Sequence, residues 1–184
     1  MEQQAGESRR ITLHAREDFE GMRRAGQLAA LTLDMVAPHV RPGVTTEQID
    51  RLCHDFMVAH GAVPATLGYR GYTKSSCTSI NHVVCHGIPG ERVLVDGDII
   101  NIDVTAILDG WHGDSSRMYV AGNASTKARL LMDVTYEAMM RGIAAIRPGA
   151  TLGDIGHAIQ SYVERHRFSV VRDFCGHGIG RKFH

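Results

Sequence analysis

Residues 98–114 read DIINIDVTAILDGWHGD, and this stretch decides the fold of the chain around it. The run from Ile99 to Leu108 is rich in Ile and Val, which is typical of a buried strand. Asp109-Gly110 is a strong signal for a two-residue hairpin turn. A second strand is predicted to return over residues 111–120. The sequence therefore predicts a β-hairpin at the centre of the chain.

The hairpin carries two acids whose relative positions follow from its register. A two-residue loop sets Thr105 opposite Asp114, and side chains that alternate along a strand put Asp103 on the same face as Thr105. Asp103 and Asp114 are then diagonal neighbours, roughly 7–8 Å apart. Two carboxylates in an apolar sheet repel each other and lose hydration, and a divalent cation removes both problems. A solvated outer face is the alternative, and a bulged turn would separate the acids.

His177 is a candidate for a third ligand, and His86 stands in the same His-Gly-Ile setting. Gly176 and Gly178 flank His177, so backbone and ligand can approach closely, and imidazole binds Zn, Mn, Fe or Co beside carboxylates. A turn histidine without a ligand is the alternative. A remote interpretation combines His112, Asp114 and His177 as a two-histidine, one-carboxylate iron site, but it leaves Asp103 unexplained and belongs to mainly β folds.

Helical units lie on both sides of the hairpin and repeat at an offset of 106 residues. An amphipathic helix is predicted from Asp18 to the prolines at 38 and 42, and another over residues 126–146. Each is followed by Arg-Pro-Gly and a second helix that begins after a threonine cap, Thr45 or Thr151. This pattern indicates an internal duplication, whose halves are expected to pack about a pseudo-twofold axis with a site between them.

The remaining segments are assigned more simply. Residues 1–15 are predicted to be a flexible leader and residues 16–184 a single domain. Short strands are predicted over residues 79–85, 93–95 and 170–174.

The composition excludes several classes of protein. Lys and Arg total 20 and Asp and Glu total 20, so no net charge favours nucleic acid. No apolar run approaches the ~20 residues that span a bilayer, and the polar N-terminus lacks the core of a signal peptide. The four cysteines lack C-x-x-C spacing, so we expect a cytoplasmic protein.

The motifs together resemble the type I methionine aminopeptidases, from Ile11 onward. The matching pieces are Gly68-Tyr69-Arg70-Gly71-Tyr72, Ser79-Ile80-Asn81, Cys85-His86-Gly87-Ile88-Pro89, residues 98–104, Trp111-His112-Gly113-Asp114 and Gly176-His177-Gly178-Ile179-Gly180. The resemblance implies the pita-bread α/β fold, whose two halves agree with the repeat. It also implies metal-dependent removal of the initiator methionine from nascent polypeptides by a monomer, with the ribosome as a further expected partner.

Site residues are implied residue by residue. Asp103, Asp114 and His177 match metal ligands for two divalent ions (Co, Mn, Fe, Zn or Ni), with Asp114 bridging them. His86 matches a histidine near the substrate's amino end, and His184 one beside the scissile carbonyl. The methionine pocket is matched by Tyr69, Tyr72, Cys77 and Phe183.

The chain departs from the family pattern at its end. The resemblance places two further glutamate ligands beyond His184, together with the closing strands of the second half. We therefore expect weak metal affinity and little activity from these 184 residues. A fragment of an active enzyme, a short non-catalytic paralogue that binds peptides or proteins, and a partner chain that supplies the missing acids all remain open.

Overall fold

The computed structural model describes residues 12–184, and the hairpin over residues 99–120 lies, along the chain, between two pairs of helices. The helices are α1 (Arg16–Val36), α2 (Thr46–Ala59), α3 (Thr126–Ala144) and α4 (Leu152–Arg165). The strands are β1 (Val63–Pro64), β2 (Cys77–Ile80), β3 (Ile99–Leu108) and β4 (Trp111–Val120). β3 is central: β4 pairs with one edge, and β1 and β2 share the other, all antiparallel.

The two faces of β3 have different environments because side chains alternate along the strand. Ile100, Ile102, Val104 and Ala106 are fully buried in the core under α1 and α2. Asp103 and Thr105 therefore point to the opposite face. Each Å² of apolar surface that is buried stabilises the fold by about 25 cal/mol. This gain holds the sheet against the helices and so determines which face is left for polar residues.

The repeat predicted at an offset of 106 residues is present in the structure. Helices α2 and α4 begin and end at equivalent residues, and the glycine before each has a positive φ, +91° at Gly43 and +85° at Gly149. Each helix also ends in a histidine whose Nδ1 lies near the carbonyl oxygen four residues earlier, at 2.8 Å for His60 and 2.9 Å for His166. The same local interactions therefore start and stop both helices.

Three of the predicted strands differ from the structure. The first is β2, which ends at Ile80 rather than continuing to residue 85, because Asn81 has a φ of +53° and its side-chain oxygen accepts a hydrogen bond from the Ile99 amide. Residues 93–95 form a single bridge between Val93 and Thr45, and residues 170–174 have no strand partner among the described residues. An apolar run becomes a strand only where another backbone pairs with it.

Most of the predicted leader lies outside the described residues. Residues 12–15 form neither helix nor strand, and α1 begins at Arg16. Within the described part of the chain, no helix combines the length and apolar character required to cross a bilayer.

Gly113 lies where α1 crosses β4, and a Cβ atom there would overlap the backbone carbonyl of Ala25. We expect Gly113→Ala to lower the free energy of unfolding by about 2–3 kcal/mol, because the helix and strand backbones must separate. Gly26→Ala is the matched control: an added Cβ there meets open space within α1 and should stabilise the helix slightly. Urea unfolding of both variants measures the difference, and equal stability would contradict the close approach.

Candidate metal centre and substrate pocket

The β3–β4 hairpin places two carboxylates on one face of the sheet. Its turn residues, Asp109 and Gly110, have φ values of +51° and +78°, as a type I′ turn requires. Thr105 pairs with Asp114, and the Thr105 hydroxyl donates to the Asp114 carboxylate at 2.9 Å. Asp103 lies two residues before Thr105 on β3. The predicted register is therefore confirmed, and both half-buried acids face the same space.

The two acids are electrostatically uncompensated. Burial and, to a smaller extent, the nearby Asp114 carboxylate raise the pKa of Asp103 to about 7, while His177 opposes the increase. Among residues 12–184, no Lys or Arg forms an ion pair with either acid. The site thus holds more negative charge than its surroundings stabilise, which is the environment that a divalent cation relieves.

His177 presents its Nε2 toward Asp114. Its Nε2 lies 3.4 Å from an Asp114 carboxylate oxygen, and its Nδ1 lies 3.0 Å from the Gly178 carbonyl oxygen. A neutral ring that donates from Nδ1 to that carbonyl carries its lone pair on Nε2. This is the orientation in which a backbone carbonyl supports a metal-binding histidine.

The three side chains are not yet in ligating positions. Among residues 12–184, no three His, Cys, Asp or Glu side chains form a group close enough to hold a metal ion as they stand. The donor set of two carboxylates and one imidazole nevertheless fits a divalent ion. The assignment of Asp103, Asp114 and His177 as ligands therefore remains a prediction supported by their convergence and charge.

A cavity of about 910 Å³ opens in front of these residues. Its lining includes all nine residues that the sequence assigned to the site: Asp103, Asp114, His177, His86, His184, Tyr69, Tyr72, Cys77 and Phe183. A second, apolar groove of about 640 Å³ lies between α3, α4 and the sheet. Its lining contains no carboxylate among the described residues, so the cavity at the hairpin is the candidate site.

The buried wall of the cavity is hydrogen-bonded and uncharged. Cys77 is 5% exposed, and burial raises the pKa of its thiol to about 11. The Tyr72 hydroxyl donates to the Ser76 carbonyl at 2.9 Å, with the Gly87 carbonyl 3.3 Å away, and burial raises the Tyr72 pKa. Thiol and phenol both stay protonated at neutral pH, so this wall suits an apolar side chain.

Two histidines lie at the open side of the cavity. His184 Nδ1 is 3.0 Å from the Tyr69 hydroxyl, and its ring centroid is 4.4 Å from that of Phe183. His86 has a φ of +55°, and its ring meets the edge of Phe174 at 5.6 Å. The structure therefore brings both predicted histidines to the site, while their catalytic roles stay predictions.

Asp50 supports the wall of the cavity, and the sequence reasoning missed it. This buried carboxylate of α2 accepts hydrogen bonds from the Ser75 amide at 3.0 Å and from the Ser76 amide and hydroxyl at 2.8 and 2.7 Å. Ser76 in turn accepts from Tyr72. A signal existed: Asp50 falls on the apolar stripe of α2 with Cys53 and Met57, and a buried acid requires hydrogen-bond partners.

His112, named in the alternative iron site, has a structural contact instead. It is 9% exposed, and both its amide and its Nδ1 contact the Gly180 carbonyl oxygen, at 2.9 and 3.0 Å. This contact fixes the segment that carries Phe183 and His184. The mixed α/β architecture also differs from the β-helix sheets of such iron enzymes, so the structure does not support that alternative.

Comparison with known proteins gives a consistent result. The sequence model of metallopeptidase family M24 matches residues 20–184. A methionine aminopeptidase of Rickettsia prowazekii is 61% identical over 174 residues, which cover 95% of this chain and 67% of the relative. Methionine aminopeptidase A of Synechocystis is 55% identical over 175 residues, covering 95% of this chain and 69% of the relative.

Solved structures agree with these sequences. The crystal structure of the Rickettsia prowazekii enzyme superposes with a TM-score of 0.94 at 60% identity, covering 95% of this chain and 71% of that one. An Xaa-Pro dipeptidase from Bacillus anthracis, at 22% identity, has a TM-score of 0.80 over 94% of this chain and 47% of its own. At that identity the dipeptidase shows the fold alone.

Proposed function

The chain belongs to metallopeptidase family M24, among its methionine aminopeptidases, and from this membership we propose that Asp103, Asp114 and His177 hold the divalent ions used to remove N-terminal methionine. The observation that carries the proposal is the convergence of two uncompensated carboxylates and an imidazole at one end of a cavity. Two divalent ions are proposed from the family membership, and Asp103, Asp114 and His177 are the residues that would hold them.

Divalent ions held by these residues would lower the pKa of water and polarise the peptide carbonyl. The residues of this chain prepare the site for them. Thr105 orients the Asp114 carboxylate through its hydrogen bond, and the Gly178 carbonyl orients the ring of His177. Both contacts reduce the freedom of a ligand before any ion arrives, which favours binding.

His184 is proposed to contact the scissile carbonyl. Its pKa is lowered by desolvation and by the nearby His177 and Arg70, so the ring is neutral at pH 7. When the Tyr69 hydroxyl donates to Nδ1, the ring proton lies on Nε2 and can be donated to a developing oxyanion. His86, at the other side of the opening, is proposed to orient the substrate amino group.

The methionine side chain is proposed to pack against the cavity wall formed by Tyr69, Tyr72, Cys77 and Phe183. An unbranched thioether fits an apolar, aromatic-lined space and gains from contact between sulfur and aromatic rings. The substrate is a nascent polypeptide beginning with Met. We also propose a cytoplasmic monomer that works near the ribosome, since newly made chains emerge there.

The assay follows methionine release from the peptide Met-Ala-Ser by the protein expressed to the stop codon of its gene. We expect release with added Co²⁺ or Mn²⁺, none with EDTA, and none from Leu-Ala-Ser. The 184-residue chain is assayed in parallel. If the protein expressed to its stop codon binds the peptide but releases no methionine with any metal tried, the enzymatic proposal is contradicted and a non-catalytic binding module is favoured.

A further inference from the structure

Arg70 occupies an unusual backbone position at the open side of the cavity. Its φ of +48° and ψ of +33° lie in the left-handed region, which non-glycine residues seldom adopt, and glycines with φ of +83° and +85° lie at positions 68 and 71. The exposed side chain is part of the cavity lining. The loop thus holds a long cationic side chain at the rim in a conformation that carries a backbone cost.

No acid in the part of the chain that the structure describes neutralises this guanidinium. Among residues 12–184, no carboxylate lies within 4.0 Å of it. Its guanidinium carbon lies 5.4 Å from the ring centroid of Tyr69. By contrast, the nearby Lys74 is paired with Glu47. Arg70 is therefore a cation available to a ligand.

Charge is separated along the cavity. The acids that line it, Asp103 and Asp114, are half-buried, whereas the exposed part of the lining holds Arg70 and histidines. A peptide whose first side chain fills the buried wall must leave past the exposed rim, advancing about 3.3 Å per residue. The residues that follow the methionine therefore pass the rim that carries Arg70.

We propose that Arg70 selects substrates with an acidic side chain downstream of the N-terminal methionine, by forming a charge-assisted hydrogen bond with that carboxylate. The inference rests on the proposed function, because it takes the buried wall as the methionine site. A guanidinium binds a carboxylate with two parallel hydrogen bonds. At an exposed rim such a pair changes affinity by about threefold to fivefold and weakens with salt.

The test compares fluorescently labelled Met-Ala-Glu-Glu-Ser, Met-Ala-Gln-Gln-Ser and Met-Ala-Lys-Lys-Ser, by binding anisotropy and by methionine release. The protein expressed to its stop codon should bind and cleave the Glu peptide about threefold to fivefold better than the Gln peptide at low salt. Arg70→Gln should abolish this ratio, and Arg70→Glu should favour the Lys peptide. Arg51→Gln, at an exposed position of α2, is the control and should keep the ratio.

The outcomes distinguish the role of Arg70 from the enzymatic function on which it rests. A Glu-to-Gln ratio that persists in Arg70→Gln, or is absent in the unaltered protein, overturns the role of Arg70 even when methionine is released. Binding that depends on Arg70 without any release supports the role of Arg70 and rejects the enzymatic function. Thermal melting of each variant confirms that the exposed substitutions leave the fold intact.

Discussion

Asp114→Asn is expected to weaken binding of Mn²⁺ or Co²⁺ by about 100-fold and to abolish methionine release. Asparagine keeps the shape of the side chain and can still accept the hydrogen bond from Thr105. It loses the negative charge and one oxygen donor, and even the loss of a supporting contact around a metal ligand costs 10–100-fold in affinity. Titration calorimetry with each ion measures the effect without relying on turnover.

The hairpin itself offers a matched control for that variant. Asp109→Asn makes the same chemical change five residues away, at an exposed turn position with a φ of +51°, which asparagine adopts readily. Its ion pair with Arg24 lies on the surface and contributes little. Asp109→Asn should therefore bind metal as the unaltered protein does. Equal metal affinity for the Asp114 variant would contradict the assignment of this carboxylate as a ligand.

The second large effect concerns stability without metal. The pKa of Asp103 is about 7 in the folded protein against 3.8 for a free side chain. Well below pH 4 the Asp103 carboxyl is protonated in both the folded and the unfolded protein. Between about pH 4 and pH 7 only the folded protein keeps this proton. Stability from this group therefore falls as pH rises, by up to about 4 kcal/mol in total, and the loss is complete above pH 7.

Melting temperatures in EDTA at pH 5 and pH 8 test this expectation. The unaltered chain should melt on the order of 10 °C lower at pH 8. Asp103→Asn, which is uncharged at both values, should show a much smaller difference, while Asp109→Asn should behave as the unaltered chain does. Added Mn²⁺ should restore stability at pH 8. The same pH dependence in Asp103→Asn would show that other groups cause it.

Some of the site was predictable because it depends on local rules. The Asp109-Gly110 turn sets the register of the hairpin, and the alternation of side chains puts Asp103 and Asp114 on one face. The threonine caps and the Arg-Pro-Gly turns likewise act within a few residues, so the repeat of α2 and α4 was visible at the correct offset. Their signals need no information about distant parts of the chain.

Other features depended on partners far away in sequence. Residues 170–174 have the composition of a strand but pair with no other strand in the described chain. Asp50 reaches Ser75 and Ser76, 25 and 26 residues later, and His112 reaches Gly180, 68 residues away. Composition and periodicity do not identify which backbone groups a side chain will meet.

The amino-acid sequence alone determined the hairpin, its register, the paired acids on one face and the duplicated helical units, since turn chemistry and side-chain alternation act over neighbouring residues. Tertiary structure decided that His177, His184 and the aromatic residues meet those acids around one cavity, and that Arg70 stands at its rim. The physical reason is that α1 and α2 pack against one face of the sheet, so the acids point to the opposite face, and distant segments converge there.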